Sequence, residues 1–384
     1  MNTYSLLNAG RVNAGPGSID SLKEVVADFN ARNVLIISDK GVAGAGLIAR
    51  PQALVEEAGA SVSIIDDTPP EPSVEQVESI LAAAQGTAWD LVIGIGGGSA
   101  MDVAKIVAVM LNNDVKLRDL LNKAPIPRRG IPTVMVPTTA GTGSEVTPIS
   151  IVTTGATSKT GIVAPILFAD VAILDATFTQ NLPAHITAAT GIDAMVHAIE
   201  AYTSKIKKNP YADMLAKQAL KLLDHNLSLV LADGHNLPAR QNMLVGSMLA
   251  GQAFANAPVA AVHALAYPLG GHFHLSHGHT NALVLTEVMK FNAPAAKQHY
   301  AELMKWIDPY STGSTDGLCD LFIDHMQNHL DSSGLTLKLN QLHVPQNTLE
   351  QLADDAMLQT RLLQNNPRVL EKADALHIYA SMYE

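Results

Sequence analysis

The chain has 384 residues, which is enough for two or three domains with large buried cores. Hydrophobic residues make up 47% and charged residues 16%, which excludes a disordered chain, and the net charge of −11 excludes a basic surface for nucleic acid or an anionic membrane. The single cysteine, Cys319, excludes an intramolecular disulfide and a cysteine metal cluster. With no signal-peptide pattern and no run of ~18 apolar residues, we expect a cytoplasmic protein.

The first half of the chain alternates short apolar runs with helical patterns. The apolar runs, rich in β-branched residues, predict strands at 34–37, 62–65 and 90–95. Apolar residues at helical spacing predict helices over 48–58, 73–85 and 99–111. This alternation indicates a parallel sheet with crossover helices. From Ile131 to Leu174 the pattern changes to strand-like runs, such as 133–136 and 149–152, between turns rich in threonine and glycine.

After Pro183 the strand signals largely stop. Helical spacing predicts helices over 184–204, 211–231, 238–254 and 259–270. Further helical segments follow, and we expect them to be broken at Pro294, Pro309, Pro345 and Pro367. The sequence therefore predicts an α/β domain over residues 1–180 and an all-helical domain over residues 181–384.

A glycine-rich turn, Gly96-Gly97-Gly98-Ser99, joins the predicted strand 90–95 to the predicted helix 99–111. Glycines allow a close approach of the backbone to an anion, and the start of a helix offers free N–H groups. The turn indicates a phosphate-containing ligand, although its spacing differs from G-x-G-x-x-G. Asp39 follows the first predicted strand, where a carboxylate can bind ribose hydroxyls; a solvated loop aspartate is the alternative.

Histidine and carboxylate residues are concentrated in the second half of the chain. Asp193 and His197 lie four residues apart on one face of a predicted helix. His263 and His277 flank a segment with further histidines, which are His272, His274 and, just beyond, His279. One carboxylate with three imidazoles would suit Fe(II) or Zn(II), but spacing alone does not select the four ligands.

Five motifs, in this order, resemble the iron-containing (group III) alcohol dehydrogenases over essentially the whole chain. They are GGGSAMDVAK (96–105), PTTAGTGSEVT (137–147), ADVAILDATFTQNLP (169–183), AATGIDAMVHAIEAY (188–202) and VHALAYPLGGHFHLSHGHTNAL (262–283). The resemblance implies a Rossmann-like α/β N-terminal domain with an all-α C-terminal domain, the dehydroquinate synthase-like fold. It also implies an NAD-dependent oxidoreductase that interconverts small primary alcohols and aldehydes, and a homodimer or higher homo-oligomer.

The resemblance assigns roles to individual residues. The metal ligands, for Fe(II) or alternatively Zn(II), are Asp193, His197, His263 and His277. The residues implied to bind NAD are Asp39, Gly96, Gly97, Gly98, Ser99, Asp102, Thr138, Thr139, Thr142, Ser144, Thr147, Ile149 and Lys159. Asp39 takes the position associated with preference for NAD over NADP, and Phe254 the position that lines the substrate pocket.

Two positions depart from the family pattern. Tyr267 replaces a histidine that many members carry, and Thr286-Glu287 replaces a Pro-His pair. Three roles are open for Tyr267: packing against the nicotinamide, proton transfer, or a fifth metal ligand. A same-fold dehydrogenase or reductase of a hydroxy or keto acid, of 4-hydroxybutyrate or maleylacetate type, is the alternative function; a non-catalytic binding protein is disfavoured because all four ligand positions are filled.

Overall fold

The computed structural model describes residues 4–155 and 158–383, and the strands in this part of the chain lie in its first half. The strands are β1 (Arg11–Ala14), β2 (Asn33–Ile37), β3 (Ser61–Ile65), β4 (Leu91–Gly96), β5 (Thr133–Pro137), β6 (Ile149–Thr153), β7 (Lys159–Val163) and β8 (Val171–Leu174). Six of them form a parallel sheet in the order β1-β8-β5-β4-β2-β3, while β6 and β7 pair with each other antiparallel.

Helices connect the parallel strands. They are α1 (Leu22–Asp28), α2 (Lys40–Gly44), α3 (Ala49–Glu57), α4 (Val74–Ala84), α5 (Gly98–Leu111) and α6 (Leu117–Leu121). The helix α4 begins with a capping box, in which the Ser73 side chain accepts from Gln76 N–H and the Gln76 side chain accepts from Ser73 N–H. The sequence predicted a helix over 73–85, and the structure confirms it with bounds shorter by one residue at each end.

The two faces of the sheet carry separate cores. Leu35 and Ile37 of β2 pack into one apolar cluster with α4, α5 and α6, whereas Val34 and Ile36 pack into another with α1 and α3. Successive side chains of a strand point to opposite faces, so a continuous apolar run is what a strand covered on both sides requires. The predicted parallel sheet with crossover helices is confirmed.

The second half of the chain is helical. Its helices are α7 (Ala184–Thr203), α8 (Pro210–Ala232), α9 (Leu237–Asn256), α10 (Ala261–Phe273), α11 (His277–Ile307), α12 (Thr315–Ser332), α13 (Leu349–Met357), α14 (Thr360–Leu363) and α15 (Lys372–Ser381). Across both halves of the chain, short 3-10 turns occur at Ser18–Ser21, Ser144–Val146, Pro165–Leu167, Ala176–Thr179 and Gln346–Thr348. The predicted all-helical character of this half is confirmed.

The contacts divide the chain into two compact units. One, here the sheet unit, contains Leu7–Leu182 and the segment His235–Val245; the other, here the helical unit, contains Met1–Leu6, Pro183–Gly234 and Gly246–Glu384. The segment His235–Val245 groups with the sheet unit although it lies well past residue 180, where the sequence placed its single division. Its Gln241 side chain accepts from Ala176 N–H and donates to Leu174 O.

The expected helix break at Pro294 is wrong, because α11 continues through this residue. Proline removes one N–H and crowds the carbonyl four residues earlier, which ordinarily ends or kinks a helix. Here α11 packs against α7, α10 and α12, and that burial outweighs the local cost. The other three prolines that we named lie outside the α-helices.

Among the described residues, no single helix is long and apolar enough to cross a membrane. Within residues 4–155 and 158–383, one bent pair, α9 with α10 at 107° to each other, reaches that length and composition together.

Candidate metal and cofactor sites

Four side chains with metal-binding chemistry converge in the helical unit. Asp193 and His197 lie one turn apart on α7, His263 lies on α10, and His277 is the first residue of α11. One ligand atom from each of the four lies within 4.8 Å of the others. The structure therefore brings together the four residues that the family resemblance selected as metal ligands.

The spacing of these atoms matches the size of a metal ion. Asp193 Oδ1 lies 3.8 Å from Nε2 of His197, 3.8 Å from Nε2 of His263 and 3.6 Å from Nε2 of His277. The Nε2 atoms of His197 and His263 are 3.0 Å apart, so a proton or a cation must separate their lone pairs. Three imidazoles and one carboxylate are a donor set that suits Fe(II) or Zn(II), and these residues fit such an ion.

Glu200 fixes the orientation of His263. Its Oε2 lies 2.7 Å from His263 Nδ1, and its Oε1 accepts from Val262 N–H at 2.7 Å. The carboxylate therefore holds the proton on Nδ1 and leaves the Nε2 lone pair directed at the ligand group. The sequence analysis did not assign Glu200, although its position three residues after His197 places it on the same face of α7.

Asn281 lies one turn after His277 and enters the same group. Its Nδ2 donates to Asp193 Oδ1 at 2.6 Å and lies 3.3 Å from Nε2 of both His263 and His277. Its buried Oδ1 has no hydrogen-bond partner among the described residues. Although burial raises the pKa of Asp193, the three imidazoles and this amide lower it below its usual value, so the carboxylate stays ionised.

A glycine lets α11 deliver His277 to the group. A Cβ at Gly278 would stand 2.3 Å from the carbonyl oxygen of Ala189 on α7. Any larger residue would push the start of α11 away from α7, and His277 with it.

Two aromatic rings border the four ligands. The Phe254 ring stacks on the His197 ring with centroids 4.5 Å apart. The Tyr267 ring lies 5.9 Å from the His277 ring and 6.5 Å from the His263 ring. Both residues were assigned near the reacting centre by the resemblance, and the structure places both beside the metal-ligand group.

Two of the remaining histidines of the segment have other partners, and the third is exposed. His272 Nε2 lies 2.6 Å from Asp355 Oδ2, His279 Nε2 lies 2.6 Å from Thr336 O, and His274 is exposed at the end of α10. Where many relatives carry a Pro-His pair, Thr286 Oγ1 donates to Gln327 Oε1 and Glu287 accepts from Lys290 and Ser381.

The glycine turn and Asp39 lie together in the sheet unit. In the sheet, β3 lies on one side of β2, while β4 lies on its other side and β5 lies beyond β4. The chain therefore continues toward opposite edges of the sheet from β2 and from β4, which makes the place between them a topological switch point. Ligands of open parallel sheets bind at the carboxyl ends of the strands at such a switch point. Asp39 lies two residues after β2, and the glycines 96–98 connect the last residue of β4 to the first residue of α5. A Cβ at Gly96 would lie 3.0 Å from Asp39 Oδ2 and 2.8 Å from Ala100 Cβ.

The threonine turn borders the glycine turn. A Cβ at Gly98 would meet Thr142 Cγ2 at 2.8 Å, a Cβ at Gly97 would lie 3.7 Å from Thr139 Oγ1, and Thr138 N–H donates to Gly96 O. The absence of side chains on these glycines therefore lets the threonine turn pack closely against the start of α5. Gly97 is the N-cap of α5, and the Ser99 hydroxyl accepts from Glu71 N–H.

A buried lysine organises the segment after the threonine turn. Lys105 Nζ donates to the oxygens of Ser144, Thr147 and Ile149 and lies 3.1 Å from Asp102 Oδ1. Asp102 accepts in turn from Ser144 Oγ and from Ile151 N–H, so both its oxygens are engaged within the protein. Lys105 was not assigned from the sequence, although it lies three residues after Asp102 on the same helix.

Lys159 occupies the start of β7, away from the glycines in sequence. Its Nζ lies 2.5 Å from Glu71 Oε1, and that ion pair links β7 to the segment that precedes α4. The structure thus gives this lysine an acidic partner, while its cofactor role stays a prediction.

Comparison with known proteins identifies relatives over nearly the whole chain. Residues 9–176 match the family described as iron-containing alcohol dehydrogenase, and residues 187–383 match its C-terminal region, described as Fe-containing alcohol dehydrogenase family, C-terminal. The long-chain-alcohol dehydrogenase 1 of Geobacillus thermodenitrificans is 38% identical over 96% of this chain and 94% of that protein. The NAD-dependent methanol dehydrogenase of Bacillus methanolicus is 30% identical over 95% of this chain and 96% of that protein. A crystal structure of a 1,3-propanediol oxidoreductase superposes with a TM-score of 0.94, with 32% identity and full coverage of both chains.

Proposed function

The chain belongs to the iron-containing alcohol dehydrogenase family and is an alcohol oxidoreductase, and from that premise we propose that it interconverts small primary alcohols and aldehydes with NAD(H). The metal is Fe(II), with Zn(II) as the alternative ion for the same ligands. The observation that carries the proposal is the convergence of Asp193, His197, His263 and His277 on one point.

The chemistry divides between the bound groups and the chain. When bound, the metal supplies a Lewis acid for the alcohol or aldehyde oxygen and NAD supplies the hydride acceptor or donor. Asp193, His197, His263 and His277 would hold the metal, with Glu200 fixing the tautomer of His263.

The neighbours of the ligands favour an uncharged substrate. The Phe254 ring covers one face of His197, and Tyr267 lies beside His263 and His277. An apolar ring next to the metal excludes water and packs against carbon atoms of the substrate, which supports alcohols and aldehydes over acids.

The switch point between β2 and β4 is the proposed binding place of the NAD pyrophosphate and adenosine ribose. A Cβ at Gly96 would clash with Ala100, and one at Gly98 would clash with Thr142, so glycines are needed for this tight turn into α5. The backbone N–H groups at the start of α5 would bind the phosphates. Asp39 stands beside this turn, and its carboxylate can accept from ribose hydroxyls. The turn at 138–149 would bind the nicotinamide half.

The proposed metal function is tested by comparing two histidines of the same helix. His263→Ala should lose bound metal and activity together, by at least the ~10–100-fold that loss of an outer-shell partner costs. His272→Ala, which removes a histidine bonded to Asp355, should keep both. Metal analysis and NADH absorbance with a panel of alcohols, aldehydes and hydroxy acids give the readouts. Full activity of His263→Ala after chelator treatment would overturn the assignment.

We make two further proposals, each with its own basis. A homodimer or higher homo-oligomer rests on the family resemblance, and a cytoplasmic location rests on the sequence patterns. Light scattering of the purified protein tests the first, and fractionation of cells tests the second.

A further inference from the structure

A second group of metal-ligand side chains lies on α8 and α12. Asp224 comes from α8, and His325 and His329 come from one face of α12, one turn apart. One ligand atom from each lies within 4.8 Å of the others. None of these residues belongs to the Asp193 group or has a role in the proposed dehydrogenase reaction.

Both imidazoles are directed at one carboxylate oxygen. The Nε2 atoms of His325 and His329 lie 2.5 Å and 2.8 Å from Asp224 Oδ1. Their rings meet edge to face with centroids 5.1 Å apart. The Asp224 and His329 side chains are 8% and 13% exposed and that of His325 is 34% exposed, so the group is held by its surroundings but open to solvent on one side.

This geometry is close to that of a coordinated dication. Two imidazoles and a carboxylate around Zn²⁺, at bonds of about 2.0–2.2 Å, have ligand atoms separated by roughly 3.3–3.5 Å. The present nitrogen–oxygen distances therefore need to widen by less than about 1 Å, which small side-chain rotations provide. His225 Nε2 lies 3.9 Å from Asp224 Oδ2, and its exposed ring offers a further donor.

The charges around the group also favour a cation. Although burial raises the pKa of Asp224, hydrogen bonds from His325 and His329 lower it well below its usual value, so its carboxylate is ionised at any working pH. Asp308 adds a second negative charge near His325.

We propose that Asp224, His325 and His329 form a second metal site, which binds a transition-metal dication such as Zn²⁺ and fastens α12 to α8. α8 packs on α7, and α12 packs on α11, so the ion would join two helices whose main packing partners differ. Its role is structural, since an ion that binds only the folded chain stabilises it.

The test measures total metal per chain in the whole enzyme. The iron-loaded protein is dialysed against ZnCl₂ at pH 8, and iron plus zinc is determined by elemental analysis. The wild type should hold one more equivalent than His325→Gln/His329→Gln and should melt at a higher temperature with Zn²⁺ than without it, whereas the double variant should show no such shift. His377→Gln, which removes an exposed histidine of α15, should behave as the wild type.

Two additional variants keep the outcome decisive. Asp224→Asn preserves the size of the side chain and should also hold one equivalent of metal less than the wild type. It takes the place of the double variant if the double variant fails to fold. Asp193→Ala, which lacks a ligand of the first group, should still retain one Zn²⁺, so failure of the proposed catalytic site is distinguished from failure of this one. An Asp193→Ala protein that holds no Zn²⁺, or His325→Gln/His329→Gln and Asp224→Asn variants that hold as much metal as the wild type, would overturn the proposal.

Discussion

Glu200 acts on the metal-ligand group through a single imidazole proton. Because its carboxylate binds both His263 Nδ1 and Val262 N–H, it fixes the ring and its tautomer together. The side chain is almost completely buried, so no water can replace it. A residue that never touches substrate is thus expected to control how tightly the metal is held.

We expect Glu200→Gln to weaken metal binding by about 10–100-fold, because the charge that stabilises the Nδ1 proton is lost. Competition with a chelator measures the change. Glu302→Gln is the matched control, since it removes a carboxylate that bonds Tyr202 outside the ligand group. An unchanged chelator midpoint in Glu200→Gln would show that the hydrogen bond only packs the helix.

Tyr267 lies beside the metal ligands His263 and His277, and the variant Tyr267→Phe distinguishes its three candidate roles. An unperturbed phenol has a pKa near 10, too high for efficient proton transfer at neutral pH, so we expect a packing role. Tyr267→Phe should keep its metal and lose less than ~10²-fold in kcat, and Tyr267→His should be tolerated. Loss of metal from Tyr267→Phe would indicate a fifth ligand, and a larger loss of kcat with metal retained would indicate proton transfer.

At the scale of elements, the side chain of Asp39 forms an observed helix cap and has a proposed role in cofactor selection. Its Oδ1 caps α2 by accepting from Val42 N–H at 2.9 Å, while its Oδ2 faces the glycine turn that ends β4. The capping explains the residue without any ligand, so a test must separate the cap from the charge.

Asp39→Asn and Asp39→Gly separate these functions. Asparagine keeps a cap acceptor and removes the charge that would repel a 2′-phosphate. We expect both variants to narrow the NAD/NADP ratio of kcat/KM by a similar factor. If only Asp39→Gly changes the ratio, the cap and not the charge controls it; if neither does, Asp39 does not select the cofactor.

The 3-10 turn Ser144–Val146 carries a buried acid. Burial raises the pKa of Glu145 to about 7, although its own backbone hydrogen bond and the charge of Lys105 lower it. The folded chain therefore keeps this proton at pH values where the unfolded chain has released it. Stability from this group is complete below the unfolded value near 4.5 and is lost as the pH rises through about 7.

We expect Glu145→Gln to remove this pH dependence. At ~1.4 kcal/mol per pKa unit, the free energy of unfolding of the wild type should fall by roughly 3 kcal/mol between pH 4.5 and 7 through Glu145 alone. Urea unfolding of both proteins at pH 5 and pH 7.5 measures the difference. Glu78→Gln, at an exposed position of α4, should leave the wild-type slope unchanged; an equal slope in Glu145→Gln would contradict the raised pKa.

At the scale of the whole molecule, local patterns predicted most elements, and distant contacts account for the exceptions. The apolar runs of β2 and β4 were visible because both sheet faces are covered. β1 was not, because it is an edge strand with partly exposed residues and no apolar run. Pro294 was misjudged because the packing of α11 outweighs a local rule.

In the candidate metal group, too, local sequence patterns indicated some residues and not others. Spacing along α7 indicated Asp193 and His197, and the same helical reasoning could have indicated Glu200 and Asn281. The choice of His263 and His277 among the five histidines of residues 263–279 needed the family resemblance. These two residues lie on α10 and α11, and only folding brings them next to the ligands on α7. Asp224 lies 101 residues from His325, and no local pattern joins them.

Because the segment His235–Val245 belongs to the sheet unit, this unit cannot be completed until that segment has been synthesised. A ribosome releases residues 7–182 first, but the side chain that bonds Ala176 N–H and Leu174 O is Gln241, 65 and 67 residues later. At about 5–20 residues per second, β8 waits roughly 3–13 seconds for its partner. The sheet unit is therefore completed only after α7 and α8 have been synthesised, and a fragment that ends at residue 182 leaves these two backbone groups without Gln241.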